Sequence, residues 1–154
     1  MKNTKDNFSD QAKAYKKYRP EYPPELYKAV LALNSKRDAC WDCGTGNGQV
    51  AVVLAKHYKR VYATDISENQ LKHAEKRPNI RYGVCRAEQT GFEDDTFDLI
   101  TVAQAIHWFD FEAFNKEIKR VSKDKGALCV WGYGLLQTEA GITKVIDRFY
   151  RETI

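Results

Sequence analysis

The sequence predicts an α/β protein built on a doubly wound, mostly parallel sheet. Three observations predict it. Short apolar runs recur at 39–43, 60–64, 80–85, 97–103 and 127–131, with helical patterns or polar loops between them. The first run hands over to Asp42-Cys43-Gly44-Thr45-Gly46-Asn47-Gly48, a glycine-rich turn placed where a strand meets a helix. A second acid, Asp65, follows the second run, about twenty residues on, where a carboxylate can hold ribose hydroxyls. Strands alternating with helices imply a parallel sheet with right-handed crossovers, and its ligand belongs at the carboxyl ends of the strands.

The elements follow in order. Residues 9–18 suit a short helix, with Ser9 as its cap. The prolines of 20–24 then force extended or turn geometry, and Pro23 or Pro24 opens a second helix with Leu26, Val30 and Leu33 on one face. Residues 1–38 therefore read as a leading helical segment that can close over the site as a lid, and 39–154 as the α/β domain proper. The first strand spans Ala39 to Cys43, and a buried helix runs from Asn47 to His57. The second strand spans Arg60 to Thr64. Ser67-Glu68-Asn69-Gln70 is a capping box that starts a helix ending at Arg77-Pro78. The third strand is Ile80 to Cys85, followed by a polar loop, and the fourth is Phe97 to Ala103. Asp110 caps a helix with Phe111, Phe114, Ile118 and Val121 on one face. Lys125-Gly126 turns into the fifth strand, Ala127 to Trp131, and a last helix fits Ala140 to Tyr150.

Length and composition agree with one globular domain: 154 residues, 43% hydrophobic and 30% charged. No apolar run reaches the length of a membrane span, and the polar start Met1 to Asp6 has no signal-peptide core, so a cytoplasmic protein is expected. The net charge of +4 sits entirely in residues 1–38, which hold nine Lys/Arg against five Asp/Glu. No basic run with interleaved aromatics tracks a nucleic-acid backbone, so neither nucleic acid nor membrane is an expected partner. Cys40 and Cys43 form a C-x-x-C, but three-residue spacing within a strand puts the two thiols on opposite faces. All four cysteines read as small buried apolar residues, and no metal site is expected.

The turn carries the chemistry. Glycine lets a ligand approach the backbone, and the helix start offers N–H groups to an anionic or nucleotide-like ligand. The spacing is G-x-G-x-G, with Gln49 where the dinucleotide fingerprint has its third glycine. Asp-x-Gly-x-Gly-x-Gly followed by Asp65 resembles the first motif and second-strand acid of class I S-adenosyl-L-methionine (SAM)-dependent methyltransferases. Further segments carry the same resemblance. Arg86-Ala87-Glu88 with Phe92 and Asp94-Asp95-Thr96-Phe97-Asp98 is similar to the A-E…P-F-x-D-x-S-F-D block of small-molecule methyltransferases. Val102 to Asp110, reading V-A-Q-A-I-H-W-F-D, and Tyr15 to Pro23 resemble the branch of trans-aconitate methyltransferase-like, type 11 domain proteins.

The resemblance implies a Rossmann-like fold, SAM as cofactor and a small-molecule methyl acceptor. It places the methionine part on Asp42, Gly44, Thr45 and Gly46, the ribose on Asp65, and the adenine against Ile66. The family often has an aspartate before the alanine that follows the third strand. Here that place is Arg86, which cannot accept a bond from the adenine amino group, so the contact passes to the Ala87 backbone or to Glu88. Gln104 follows the fourth strand at the methionine end, and Arg19 lies in the leading segment over the site, its guanidinium suited to a carboxylate. His107 is the candidate catalytic residue, either as a base for an amine or phenol acceptor or as part of the pocket wall. Asp42 has a plainer reading as a partner of the loop amides, and Asp65 as a cap of the following helix. Trp108, Phe109, Phe111 and Phe114 read mostly as core.

The family fold has seven strands, and this sequence is expected to stop after the fifth. A bare edge at 127–131 would then offer a route to self-association. A non-catalytic SAM-binding or interaction module therefore stays open as an alternative. An NAD(P)-binding oxidoreductase is the remoter one, since position 49 lacks the glycine it needs.

Overall fold

The computed structural model describes residues 21–134 together with Ile142 and Arg148. The expected helices at 9–18 and 140–150, the lid segment up to residue 20, and Arg19 lie outside the described residues. The described elements run α1 (Pro24–Ala32), β1 (Ala39–Cys43), α2 (Gln49–Leu54), β2 (Arg60–Asp65), α3 (Glu68–Lys72), β3 (Ile80–Val84), β4 (Phe97–Ala103), a 3₁₀ turn (Ile106–Trp108), α4 (Phe111–Val121) and β5 (Ser122–Trp131).

The five strands form one parallel sheet in the order β3-β2-β1-β4-β5. The chain winds outward from β1 to β3, then returns to start β4 on the other side of β1. The switch point therefore lies between β1 and β4, and the glycine turn sits at the carboxyl end of β1. β1 and β4 are buried along their whole lengths, which is why both are mostly apolar, and their buried polar residues Asp42, Asp98 and Thr101 are hydrogen-bonded.

Each face of the sheet has its own core. Tyr27 and Val30 of α1 and Val50, Ala51 and Leu54 of α2 pack with Cys40 on one face. Trp41 and Cys43 pack on the other, with Phe114, Ile118 and Val121 of α4. The two cysteines of the C-x-x-C thus belong to opposite cores, and both are free thiols. Burial, with the Asp42 carboxylate nearby, holds both thiols well above their ordinary pKa, so they act as small apolar groups.

At the amino ends of the strands, Asp98 ties β4 to the start of β1. Its Oδ2 accepts the N–H groups of Asp38 (2.9 Å) and Ala39 (3.0 Å), and Lys123 Nζ reaches its Oδ1 at 3.1 Å. This satisfies a carboxylate that is only 1% exposed.

Several expected boundaries shift. The helix expected over 47–57 is α-helical only over Gln49–Leu54. Gly48 is left-handed (φ 83°), which delays its start, and the far end tightens into 3₁₀-type bonds such as His57 N–H to Leu54 O. The helix after Ser67 stops at Lys72 for a related reason, with His73 and Ala74 donating to the carbonyls three residues back. No helix joins β3 to β4, in line with the polar loop expected there. β5 starts earlier than expected because Ser122 pairs with Phe97 before a register shift, and Lys125 (φ 60°) turns the chain back into line with Leu99. β5 forms an edge of the described sheet, with Leu128 and Val130 exposed.

Candidate functional site

A cavity of about 70 Å³ opens at the carboxyl ends of β1, β2 and β3. Cys43 and Gly44 form its floor, Thr64, Asp65 and Ile66 one side, and Cys85 to Glu88 another. Trp108 and Phe109 close it from the stretch after β4. The sequence reading thus has Gly44, Asp65, Ile66, Ala87 and Glu88 around one space.

The glycine turn is shaped by its surroundings as well as by its dihedrals. Gly44 has φ +68°, and a Cβ there would come within 2.5 Å of the Ala105 Cβ. Only glycine fits both restraints, and its absent side chain leaves the backbone open to a ligand. The helix that follows has only six residues, so the turn's own amides, more than a long helix dipole, make the cradle.

Both acids are held firmly. Asp42 is 1% exposed; its Oδ1 accepts the Thr101 hydroxyl at 2.9 Å and its Oδ2 accepts the Thr45 hydroxyl. It therefore fastens β1 to β4 and fixes Thr45. Asp65 Oδ2 accepts the Gly46 N–H at 2.8 Å, and Oδ1 accepts the Ser67 N–H at 2.9 Å. Ser67 in turn caps α3 by accepting the Gln70 N–H at 3.3 Å. The capping box is thus shared, since Asp65 takes the amide that a box glutamine would otherwise bind.

Glu88 lies against the cavity with its side chain 11% exposed. Its Oε2 sits 3.3 Å from Arg86 Nε and its Oε1 accepts the Asp110 N–H at 3.0 Å, which pins the segment after β3 to the start of α4. Asp110 itself caps α4 through the N–H groups of Glu112 and Ala113.

Gln104 has a left-handed backbone (φ 56°) at the end of β4. Its N–H donates to Trp131 O at 3.0 Å and its Nε2 to Tyr133 O at 3.1 Å, so it clasps the end of β5. His107 lies in the 3₁₀ turn, exposed, with its ring 4.9 Å from that of Trp108, and it is not among the residues lining the cavity.

The sequence reading of the aromatic stretch needs correction. Phe114 is buried, but Trp108 is 45% exposed and Phe111 is 61% exposed. Trp108 lines the cavity together with Ile66, itself 43% exposed. Cys43, Thr64 and Cys85 also line it and were not singled out as ligand contacts. Their signal was position alone: each is at or next to the carboxyl end of a strand.

Residues 41–130 match the methyltransferase domain family. The chain belongs to that family. A Dictyostelium discoideum protein, named as a methyltransferase by inference, is 40% identical over 152 residues, which is 97% of this chain and 58% of that protein. A type II methyltransferase of Anaeromyxobacter dehalogenans, assigned on the same footing, superposes with a TM-score of 0.75 at 35% identity, covering 87% of this chain and 57% of that one. A protein of Methanococcus maripaludis shares the fold at TM-score 0.73 and 22% identity, over 99% of this chain and 76% of its own. The chain thus spans less than two thirds of the first two relatives. The family implies SAM as the cofactor.

The residues present fit that cofactor. The glycine at 44 leaves room at the backbone, the Asp65 carboxylate borders the cavity, and Ile66 and Trp108 add apolar surface to its lining. Among the described residues no helix is long and apolar enough to cross a membrane.

Proposed function

We propose that the protein transfers the methyl group of SAM to a small-molecule acceptor in the cytoplasm. The observation that carries the methyl-transfer reading is the convergence of Gly44, Asp65, Ile66, Ala87 and Glu88 on one cavity at the switch point of the sheet. The small-molecule acceptor is supported by the A-E and A-Q-A-x-H-W-F-D segments at 87–88 and 103–110. A reducing compartment is supported by four free cysteines, two of them fully inside the cores.

SAM supplies an electrophilic methyl: an acceptor lone pair forms the new bond to carbon, and the broken C–S pair stays on sulfur. The chain's own task is positioning and water exclusion. The backbone of Gly44, Thr45 and Gly46 would cradle the methionine part, with Asp42 holding Thr45 in place. Asp65 would accept the ribose hydroxyls. Ile66 and Trp108 would flank the adenine, and Ala87 and Glu88 would meet its edge. Gln104 would border the methionine end, and Arg19 would add a cation from the leading segment. His107 would take the proton of a hydroxyl or amine acceptor, whereas a carboxylate acceptor needs no base.

Calorimetric titration with S-adenosylhomocysteine tests this reading. Saturable one-to-one binding is expected. A folded protein that binds neither S-adenosylhomocysteine nor SAM would overturn it.

A further inference from the structure

The end of β5 carries a buried donor that the fold does not use. Among the described residues, the Trp131 indole Nε1 is buried and has no hydrogen-bond partner. A buried N–H left unbonded carries its full desolvation cost, so such groups in a native fold call for an explanation. Trp131 is also in a particular place. It pairs with Ala103 at the carboxyl end of the sheet, one pleat step beyond the row Asp42–Thr101–Cys129. Registered residues of a parallel sheet share a face, so Trp131 lies on the same face as Asp42. The ring of Tyr22 meets it edge-on, with centroids 5.7 Å apart at 87°.

Gln104 makes a second, independent observation at the same corner. It is a non-glycine residue in left-handed conformation, and such strain gathers at functional sites. Its two bonds to Trp131 O and Tyr133 O hold the β5 end in place. Gly132 leaves it the space, since a Cβ there would stand 3.3 Å from Gln104 Oε1. The cavity at the ends of β1, β2 and β3 takes no lining residue from β5. Trp131 therefore lies across the glycine turn from the adenosine side.

We propose that Trp131, held by Gln104 and flanked by Tyr22, recognises the methyl acceptor, and that its indole N–H donates to an acceptor oxygen, a carboxylate or a phenol. A flat apolar ring and one N–H donor suit an acceptor that carries an oxygen lone pair on an apolar body. A cationic amine has no lone pair to offer that donor. This assignment rests on the methyltransferase reading and names the acceptor class within it.

The test uses protein labelled with ¹⁵N at its three tryptophans. Trp131→Phe assigns the Trp131 indole signal and keeps an aromatic ring without the N–H. The S-adenosylhomocysteine complex is titrated with benzoate, phenol and benzylammonium. Benzoate or phenol is expected to move the Trp131 indole proton downfield saturably, with no effect from benzylammonium. The Trp41 indole, already bonded to Thr64 Oγ1 at 2.8 Å, should stay still. Trp131→Phe should weaken the oxygen-bearing probe about tenfold. If S-adenosylhomocysteine binds but no probe moves the Trp131 signal, the proposal is overturned. Failure of S-adenosylhomocysteine to bind would instead strike at the methyltransferase reading itself.

Discussion

Asp65 and Gly46 are joined across the mouth of the sheet, the carboxylate of one accepting the amide of the other at 2.8 Å. The acid at the end of β2 thus shapes the turn after β1 as well as bordering the cavity. Two substitutions separate these tasks. Asp65→Asn keeps an oxygen for one amide but loses the charge, and should weaken S-adenosylhomocysteine by about 1.5–2 kcal/mol, roughly tenfold to thirtyfold. Asp65→Ala loses the loop anchor and the Ser67 bond as well. It should weaken binding further and lower the melting temperature by more than Asn, which loses one of the two amide bonds. Equal melting temperatures for the two variants would show that the Gly46 bond contributes little to the fold.

Two glycines predict opposite outcomes. Gly44→Ala meets both a left-handed φ and a 2.5 Å approach to Ala105, so it should cost about 2 kcal/mol or more and abolish cofactor binding. Gly83 in β3 has open space where its Cβ would stand. Gly83→Ala should stabilise by about 0.5 kcal/mol through the unfolded chain. Urea unfolding of both variants checks this, and similar losses in the two would contradict the steric account.

Trp108 is exposed where a core residue would not be. Trp108→Ala should leave stability within about 0.5 kcal/mol, as surface changes do. It should weaken S-adenosylhomocysteine by about 1 kcal/mol if the ring covers the adenine. Paired melting and calorimetry on one preparation decide it, and a large loss of stability with unchanged affinity would return Trp108 to the core.

The strands of this fold were open to reading because burial on both faces leaves little room for polar residues. Ala39–Cys43 and Phe97–Ala103 stand where the sequence puts them. The helices were overestimated because a left-handed Gly48 and the 3₁₀ tails leave no mark on the apolar pattern. Trp108 was misread because a run such as His107-Trp108-Phe109-Asp110-Phe111 has no period by which to assign a face. The bonds that hold the site were the least legible. Asp42 to Thr101 spans fifty-nine residues and Asp65 to Gly46 nineteen, and both follow from strand order, which no local pattern encodes.

Strand order also hides the support of the loop between β3 and β4. Glu117 of α4 is 8% exposed, and its Oε1 accepts the Thr90 N–H at 2.9 Å and the Thr90 hydroxyl. Arg120 binds it through two nitrogens, at 2.7 Å and 3.1 Å, and carries on to Phe92 O and Asp94. Burial pushes the Glu117 carboxyl up, but the bonds from Arg120 and Thr90 outweigh it and hold it below its ordinary value of 4.5. A carboxyl depressed in the fold binds its proton more readily when unfolded. Its stabilisation is therefore present above the unfolded pKa, about 4.3, and fades as pH falls through the folded value. Glu117→Gln keeps the shape and one acceptor but cannot lose a charge. At pH 7 it should be about 2 kcal/mol less stable than the parent. As pH falls below the unfolded value the gap should shrink, and it closes once pH passes below the lowered folded pKa, where the parent's Glu117 is neutral too. Other carboxylates titrate in the same range, but they do so in both proteins and cancel in the difference. The loop that Glu117 anchors also carries Ala87 and Glu88, so the variant should bind S-adenosylhomocysteine more weakly at pH 7. A stability gap that stays the same at pH 7 and pH 3.5 would mean that packing, and not the charge on Glu117, holds this loop to α4.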